Sequence, residues 1–253
     1  MVIMDMRGER GTMAFNKKNK KTSEAKLLLS ENSSFLMKED YKTLRTNIAF
    51  SFPDDEPKII AVTSSGRSEG KSTNSINLAV SFSELGKKVL LLDCDLRLPT
   101  VAAKLKINKK VGQEGLTDLL IGKATATDVL YHDEKRGIFV IGAGTIPPDP
   151  TKLLQSERMA NLLTSLKKAF DYIILDCPPV TEVIDAALMS QYVDGYVLIV
   201  RHGESYHRRI NEMLNQLLRV NAKILGFVYV NLPAEDRKYY KKGGGNYYQS
   251  SGK

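Results

Sequence analysis

Several stretches of this chain carry apolar residues in unbroken runs and not in alternation: Ile59-Ile60-Ala61-Val62, Val89-Leu90-Leu91-Leu92, Ile173-Ile174-Leu175, Val197-Leu198-Ile199-Val200 and Ile224 to Val230. A strand that is apolar at consecutive positions is buried on both faces, as in a parallel sheet covered by helices. The stretches between the runs fit that picture. Residues 71–86 place Ile76, Ala79, Val80 and Ser83 on one helical face, with Leu78, Phe82 and Leu85 widening it and Gly86 ending it. A weaker strand is predicted at 138–141, helices at about 36–49 and 151–170, and short helical pieces punctuated by Gly112 and Gly115. No internal repeat is visible. The expected fold class is α/β, three layers, with a mostly parallel central sheet and helices on both faces.

Composition changes that picture mainly at the ends. With 253 residues, 42% apolar and 26% charged, the chain fits one domain with a single core. The formal net charge of +8 suggests nucleic acid or anionic lipid until it is located. Residues 1–21 hold six Lys/Arg against Asp5 and Glu9, and residues 237–253 hold five Lys/Arg and no acid, which leaves residues 22–236 at −1. The basicity therefore belongs to the ends, and no nucleic-acid groove is expected. Residues 1–30 read as a mobile basic N-terminal segment, 31–236 as the folded domain and 237–253 as a flexible tyrosine-rich tail. No stretch approaches the ~20 apolar residues of a membrane span, and the start lacks the apolar region of a secretory signal, so a cytoplasmic protein is expected. Cys94 and Cys177 lie in apolar runs without zinc or disulfide-framework spacing and are expected to be reduced core residues.

Chemistry enters at Thr63-Ser64-Ser65-Gly66-Arg67-Ser68-Glu69-Gly70-Lys71-Ser72-Thr73, between the first apolar run and the first strong helix. A strand, a tight loop and a helix N-terminus together aim backbone N–H groups and the helix dipole at a phosphate chain, Lys71 reaches the β- and γ-phosphates, and the Ser72 hydroxyl suits Mg2+. That assigns Ser65, Gly66, Arg67, Ser68, Glu69, Gly70, Lys71, Ser72 and Thr73 to a P-loop. The match to G-x-x-x-x-G-K-[ST] is imperfect: Ser65 stands where the first Gly is usual, and Ser68 fills an interior position often taken by Gly. The plain alternative is an ordinary turn, since a chance Gly-Lys-Ser is common.

Two other runs end in acid, at Asp93-Cys94-Asp95-Leu96-Arg97 and at Asp176-Cys177-Pro178-Pro179. Ligands of an open parallel sheet bind beyond the carboxyl ends of its strands, so Asp93, Asp95 and Asp176 can converge beside the loop. Each of these carboxylates alone has a plain alternative, capping a helix or pairing with Arg97. Together with Lys71 they point to a Mg2+-nucleotide site, where one Asp holds the metal and another faces the attacking nucleophile.

The loop 63–73, Asp93-x-Asp95-x-Arg97 after Leu90-Leu91-Leu92, Ile173-Ile174-Leu175-Asp176 and the tyrosine-bearing tail together resemble the bacterial tyrosine kinases (BY-kinases) of capsule and exopolysaccharide systems, over about residues 36–250. In that family the three segments are Walker A, Walker A′ and Walker B. The resemblance implies a P-loop NTPase fold. It implies that Lys71 and Ser72 bind ATP phosphates and Mg2+, that Asp95 and Asp176 support the metal, and that Asp93 activates the tyrosine hydroxyl. It also makes Asn231 an adenine contact. Related P-loop ATPases that position division sites or partition chromosomes carry a second lysine early in the loop, where this chain has Gly66.

Tyr239, Tyr240, Tyr247 and Tyr248 alternate with Lys, Gly, Asn, Gln and Ser, a setting that cannot bury them. They read either as a phosphoacceptor cluster, with Tyr41, Tyr206 and Tyr131 next in line, or as a sticky low-complexity tail. Tyr229, inside the last strand, reads as structural. Glu39, Lys42 and Arg45 fall three apart on the first helix, on one exposed stripe. The resemblance assigns such a Glu-x-x-Arg-x-x-Arg stripe to contacts in a ring of subunits. Here Lys42 replaces the first Arg and loses the bidentate fork; the spacing alone fits a solvated helix face equally well. Arg201-His202-Gly203 and His207-Arg208-Arg209 follow a strand at the same sheet edge, where their charge faces phosphates or a peptide or, on the favoured reading, forms a charged helix start on solvent, and the histidines show no metal-ligand spacing. The resemblance further implies a kinase that phosphorylates its own tail and other protein tyrosines, in the control of polysaccharide synthesis or export. A membrane-bound activator with a cytoplasmic tail would recruit it to the inner face of the cell membrane. An ATPase switch and a nucleotide-gated scaffold remain as alternatives.

Overall fold

A computed structural model describes residues 2–4, 27–107 and 114–232. In chain order the elements are β1 (Val2–Met4), α1 (Phe35–Phe50), β2 (Lys58–Ser64), α2 (Lys71–Ser83), β3 (Val89–Asp93), α3 (Val101–Leu105), α4 (Leu116–Ile121), α5 (Ala126–Val129), β4 (Tyr131–Asp133), β5 (Ile138–Ile141), α6 (Pro150–Leu154), α7 (Glu157–Lys167), β6 (Tyr172–Asp176), α8 (Asp185–Leu188), β7 (Gly195–Arg201), α9 (His207–Arg219) and β8 (Ile224–Val230). The strands form one sheet in the order β1-β8-β7-β2-β6-β3-β5-β4. Every pairing is parallel except β4 with β5.

The unbroken apolar runs are the inner strands, and their alternate residues divide between two helical layers. Ile59, Ala61, Leu90, Leu92, Ile173 and Leu198 face α4, α7 and α9 through Leu116, Leu120, Met159, Leu163, Met213 and Leu217. Ile60, Val62, Leu91, Ile174, Val197 and Ile199 face α1 and α2 through Leu44, Ile48, Ile76, Ala79 and Val80. Fully burying one such aliphatic side chain stabilises by about 1.5–3 kcal/mol, so the inner strands dominate the core. Cys94 and Cys177 are buried free thiols, as expected.

Three local readings need adjusting. The helix expected over 151–170 is two, because Ser156 caps a second start by accepting from the Met159 N–H at 3.3 Å. Leu85 does not widen the buried face of α2; the helix ends at Ser83 and Leu85 is exposed. Within the segment 1–30, Val2–Met4 pairs in parallel with Val228–Val230, and Leu28 and Leu29 are buried beside α1 and α2. Such short apolar islands carry no period from which a scan could read them. The tail tyrosines Tyr239, Tyr240, Tyr247 and Tyr248 lie outside the described residues. Among the described residues no helix is long and apolar enough to cross a membrane.

Candidate phosphate site at the strand ends

The strand order brings β2, β6, β3 and β7 side by side, so the segments leaving their carboxyl ends ring one cleft of about 660 Å³. Residues 68–73, Asp95, Arg97, Arg201 and Asn231 line it, as does Leu27. The loop after β2 turns through Ser68 at φ +61° and Gly70 at φ +102°, both left-handed, before α2 begins at Lys71. A Cβ at Gly66 would lie 3.0 Å from Arg209 Nη1 and 3.3 Å from Glu69 Oε1, so those side-chain ends would have to give by a few tenths of an ångström.

The loop's two departures from the usual pattern have a structural counterpart. Glu69, 2% exposed, folds back so that its carboxylate accepts from Ser65 Oγ at 2.8 Å, from the Gly66 N–H at 3.0 Å and from Ser205 Oγ at 2.7 Å. Arg201 Nη1 donates to the Ser68 carbonyl at 2.6 Å, and Thr181 Oγ1 donates to the Ser65 carbonyl. Arg67 pairs with Glu182, which Arg209 also approaches at 3.8 Å. Arg201 is therefore not a charge on open solvent but a brace on the loop. Sequence reading had no signal for this, since residues 69 and 205 meet only through the β2–β7 pairing.

Lys71, at the mouth of α2, is 8% exposed. Ser72 Oγ accepts from Thr100 Oγ1 at 2.7 Å. Asp176 Oδ1 accepts from Ser75 Oγ at 2.9 Å, while its Oδ2 is buried with no hydrogen-bond partner among the described residues. Burial pushes the Asp176 carboxyl up to about 6, against the opposing pull of the Ser72 hydroxyl and the Lys71 ammonium. Asp93, its register partner on β3, is fully buried and driven well above the carboxylate range by burial and by Asp176 beside it.

The two A′ aspartates separate by position. Asp93 Oδ1 accepts from the Asp95 N–H and Oδ2 from the Val101 N–H, each at 3.2 Å, so both oxygens are turned into the segment they brace. Like its register partner Asp176, Asp93 is buried and is not among the residues that line the cleft. Asp95, two residues on and past the strand end, lines the cleft and accepts from the Leu98 N–H at 3.0 Å. Burial raises its pKa as well. Arg97 pairs with neither of them. Its guanidinium forks onto the buried Asp185 at 2.7 and 3.3 Å and donates to Thr151 Oγ1 at 2.9 Å, an anchor that sequence reading missed.

The remaining candidates scatter. Asn231, at φ +62°, lines the cleft. Glu39 and Lys42 pair at 2.7 Å on the outer face of α1. Arg45 leaves that stripe, with an 11% exposed side chain that donates to the Ser81 carbonyl at 2.6 Å. Tyr41 is 1% exposed and not an accessible acceptor, whereas Tyr206 is exposed. Tyr229 contacts His202 Nδ1 through its hydroxyl at 3.3 Å.

This donor set fits a magnesium nucleotide. A hydroxyl, an unpartnered carboxylate oxygen and a lysine sit at a helix N-terminus below left-handed loop residues, and a hard cation needs oxygen ligands there. Comparisons with known proteins identify the family. The "AAA domain" family model matches residues 57–225. The chain is 39% identical to tyrosine-protein kinase CpsD of Streptococcus pneumoniae serotype 4 over 79% of this chain and 87% of that protein. It is 34% identical to tyrosine-protein kinase YwqD of Bacillus subtilis, over 85% and 90% respectively. The crystallised kinase domain of Escherichia coli tyrosine kinase ETK superposes with a TM-score of 0.77 at 27% identity, covering 90% of this chain and 84% of that one.

Proposed function

The chain belongs to the bacterial tyrosine-protein kinases built on this P-loop AAA-type domain, and from that premise we propose how its residues transfer phosphate from ATP to a tyrosine hydroxyl. The loop's backbone N–H groups and the start of α2 cradle the phosphates. Lys71 neutralises charge that spreads over the transferring phosphoryl group. Ser72 and Asp176 hold Mg2+, which supplies charge neutralisation across the phosphates when bound. The observation that carries this reading is the buried Asp176 Oδ2, which has no hydrogen-bond partner among the described residues while Ser72 and Lys71 act on the same carboxylate, a desolvated oxygen that a cation would satisfy.

Asp95 is the A′ carboxylate within reach of an acceptor, and we assign the tyrosine proton to it. The tyrosine oxygen forms its bond to the γ-phosphorus, the bond from phosphorus to the bridging oxygen breaks, and ADP leaves. Asp93 acts as a positioning residue that holds the A′ segment by its two backbone bonds. Asn231 contacts the adenine. The acceptors are tyrosines of the tail, Tyr239, Tyr240, Tyr247 and Tyr248, and of other proteins. Polysaccharide synthesis or export is the process served. A membrane-bound activator recruits the chain to the inner face of the cell membrane, and self-association places one subunit's tail at the next subunit's cleft, with Glu39 and Lys42 on the contact face.

The test is phosphotyrosine by mass spectrometry together with ADP release, on the purified chain with Mg·ATP and its activator. Phosphate on the tail, lost in Asp95→Asn with nucleotide still bound, supports the reading. ADP without phosphotyrosine would overturn it in favour of an ATPase switch.

A further inference from the structure

Three buried polar side chains between α1 and α2 have no part in that scheme: Tyr41 and Asn74 are each 1% exposed and Asn77 is fully buried. They form an unbroken hydrogen-bonded chain. The Gly70 carbonyl accepts from the Asn74 N–H at 3.0 Å and from Asn74 Nδ2 at 2.8 Å. Asn74 Oδ1 accepts from the Tyr41 hydroxyl at 2.9 Å, whose oxygen accepts in turn from Asn77 Nδ2 at 2.9 Å. Asn77 Nδ2 also donates to the Leu27 carbonyl at 2.8 Å, and Asn77 Oδ1 accepts from the Leu29 N–H at 2.8 Å. One end of the chain is Gly70, the left-handed pivot immediately before Lys71; the other is the segment before α1, whose Leu27 lines the same cleft.

We infer that Tyr41, Asn74 and Asn77 are positioning residues that make the docked segment Leu27–Leu29 part of the phosphate site. The inference rests on reading the cleft as the nucleotide site. Each amide in the chain is locked into one orientation by its partners, because a flip would set Asn74 Oδ1 against the Gly70 carbonyl and Asn77 Nδ2 against the Leu29 N–H. When Leu27–Leu29 lifts, Asn77 loses two partners at once and no longer fixes the Tyr41 hydroxyl. Tyr41 then no longer fixes Asn74, and Asn74 no longer holds Gly70. The coupling runs both ways: a phosphate chain that stabilises the loop must also hold the segment down. Whatever binds the chain ahead of Leu27 therefore acts on nucleotide affinity at a distance.

Tyr41→Phe removes only the hydroxyl in the middle of the chain. In the full chain, titration with a fluorescent ADP in Mg2+ should show a dissociation constant raised by about ten-fold, the size of one stranded buried hydrogen bond. Amide hydrogen exchange should show Mg·ADP slowing residues 27–29 in the parent and failing to do so in the variant. A purely structural tyrosine would lower the melting temperature and leave both readouts unmoved. A folded Tyr41→Phe that binds within two-fold of the parent, or a parent whose 27–29 exchange ignores Mg·ADP, overturns the inference. Should Tyr41→Phe fail to fold, Asn77→Ala is read by the same criteria. A parent that binds no nucleotide overturns the reading of the cleft and this inference with it.

Discussion

At the N-terminal ends of the strands, aspartates are placed where they stabilise. Asp194 accepts from the Ile59 N–H at 2.7 Å and pairs with Lys167 at 3.2 Å, Asp171 accepts from the Lys88 N–H at 2.7 Å, and both are half-buried. At the opposite ends of the same strands, Asp93 and Asp176 lie side by side in register, fully buried and raised in pKa, with Asp176 Oδ2 unpartnered. One sheet thus carries carboxylates that help the fold at one edge and carboxylates that strain it at the other. Asp93 still braces the segment after its strand through two backbone hydrogen bonds, but Asp176 keeps a buried oxygen without a partner, which fits the proposed cation and phosphate site.

The sharpest break of that contrast is Lys71→Met. It removes the cation facing the strained edge and should lower tyrosine phosphorylation at least ~100-fold while the urea midpoint moves little, because methionine keeps most of the buried stem. A correctly folded variant with normal activity would unseat the C-terminal edge as the site. Next, Arg97→Ala should cost about 3 kcal/mol in urea unfolding, since the buried Asp185 keeps its charge and loses its fork. A change below ~1 kcal/mol would mean that water reaches Asp185.

The pH dependence separates the two edges directly. Asp176 titrates at about 6 in the fold and near 4 in an unfolded chain. Between those values the folded state binds more protons, so stability of the nucleotide-free protein should fall as pH rises through that window. Asp93 shifts in the same direction. Asp176→Asn should reduce this slope, leaving the part that Asp93 contributes, and weaken Mg·ADP binding, read by urea midpoints across pH and by titration. At the other edge, Asp194→Ala should cost about 1 kcal/mol, from one backbone hydrogen bond and a partly exposed ion pair, with nucleotide affinity unchanged. The smallest effect is expected for Glu39→Gln on the outer face of α1, within ~0.5 kcal/mol in the monomer. A larger loss of self-association in the same variant would mark that face as an interface.

The apolar runs, the strand-to-helix setting of Lys71 and the acidic strand ends were all legible along the chain, because burial on both faces and a phosphate loop are local patterns of a few consecutive residues. They determined the layered parallel fold and the place of the proposed site. What the chain order could not contain was which polar group meets which. Glu69 bonds Ser205, Arg97 bonds Asp185, Arg201 holds the Ser68 carbonyl, and Tyr41 closes the gap between Asn74 and Asn77. Arg45 shares its spacing with Glu39 and Lys42 yet turns inward, and Asp93 sits two residues from Asp95 yet is fully buried with both oxygens bonded to backbone N–H groups. Such pairings depend on strand order, pleat direction and helix docking over separations of tens of residues. Hydrophobic pattern chooses the layers, but only the packed layers decide which donor finds which acceptor.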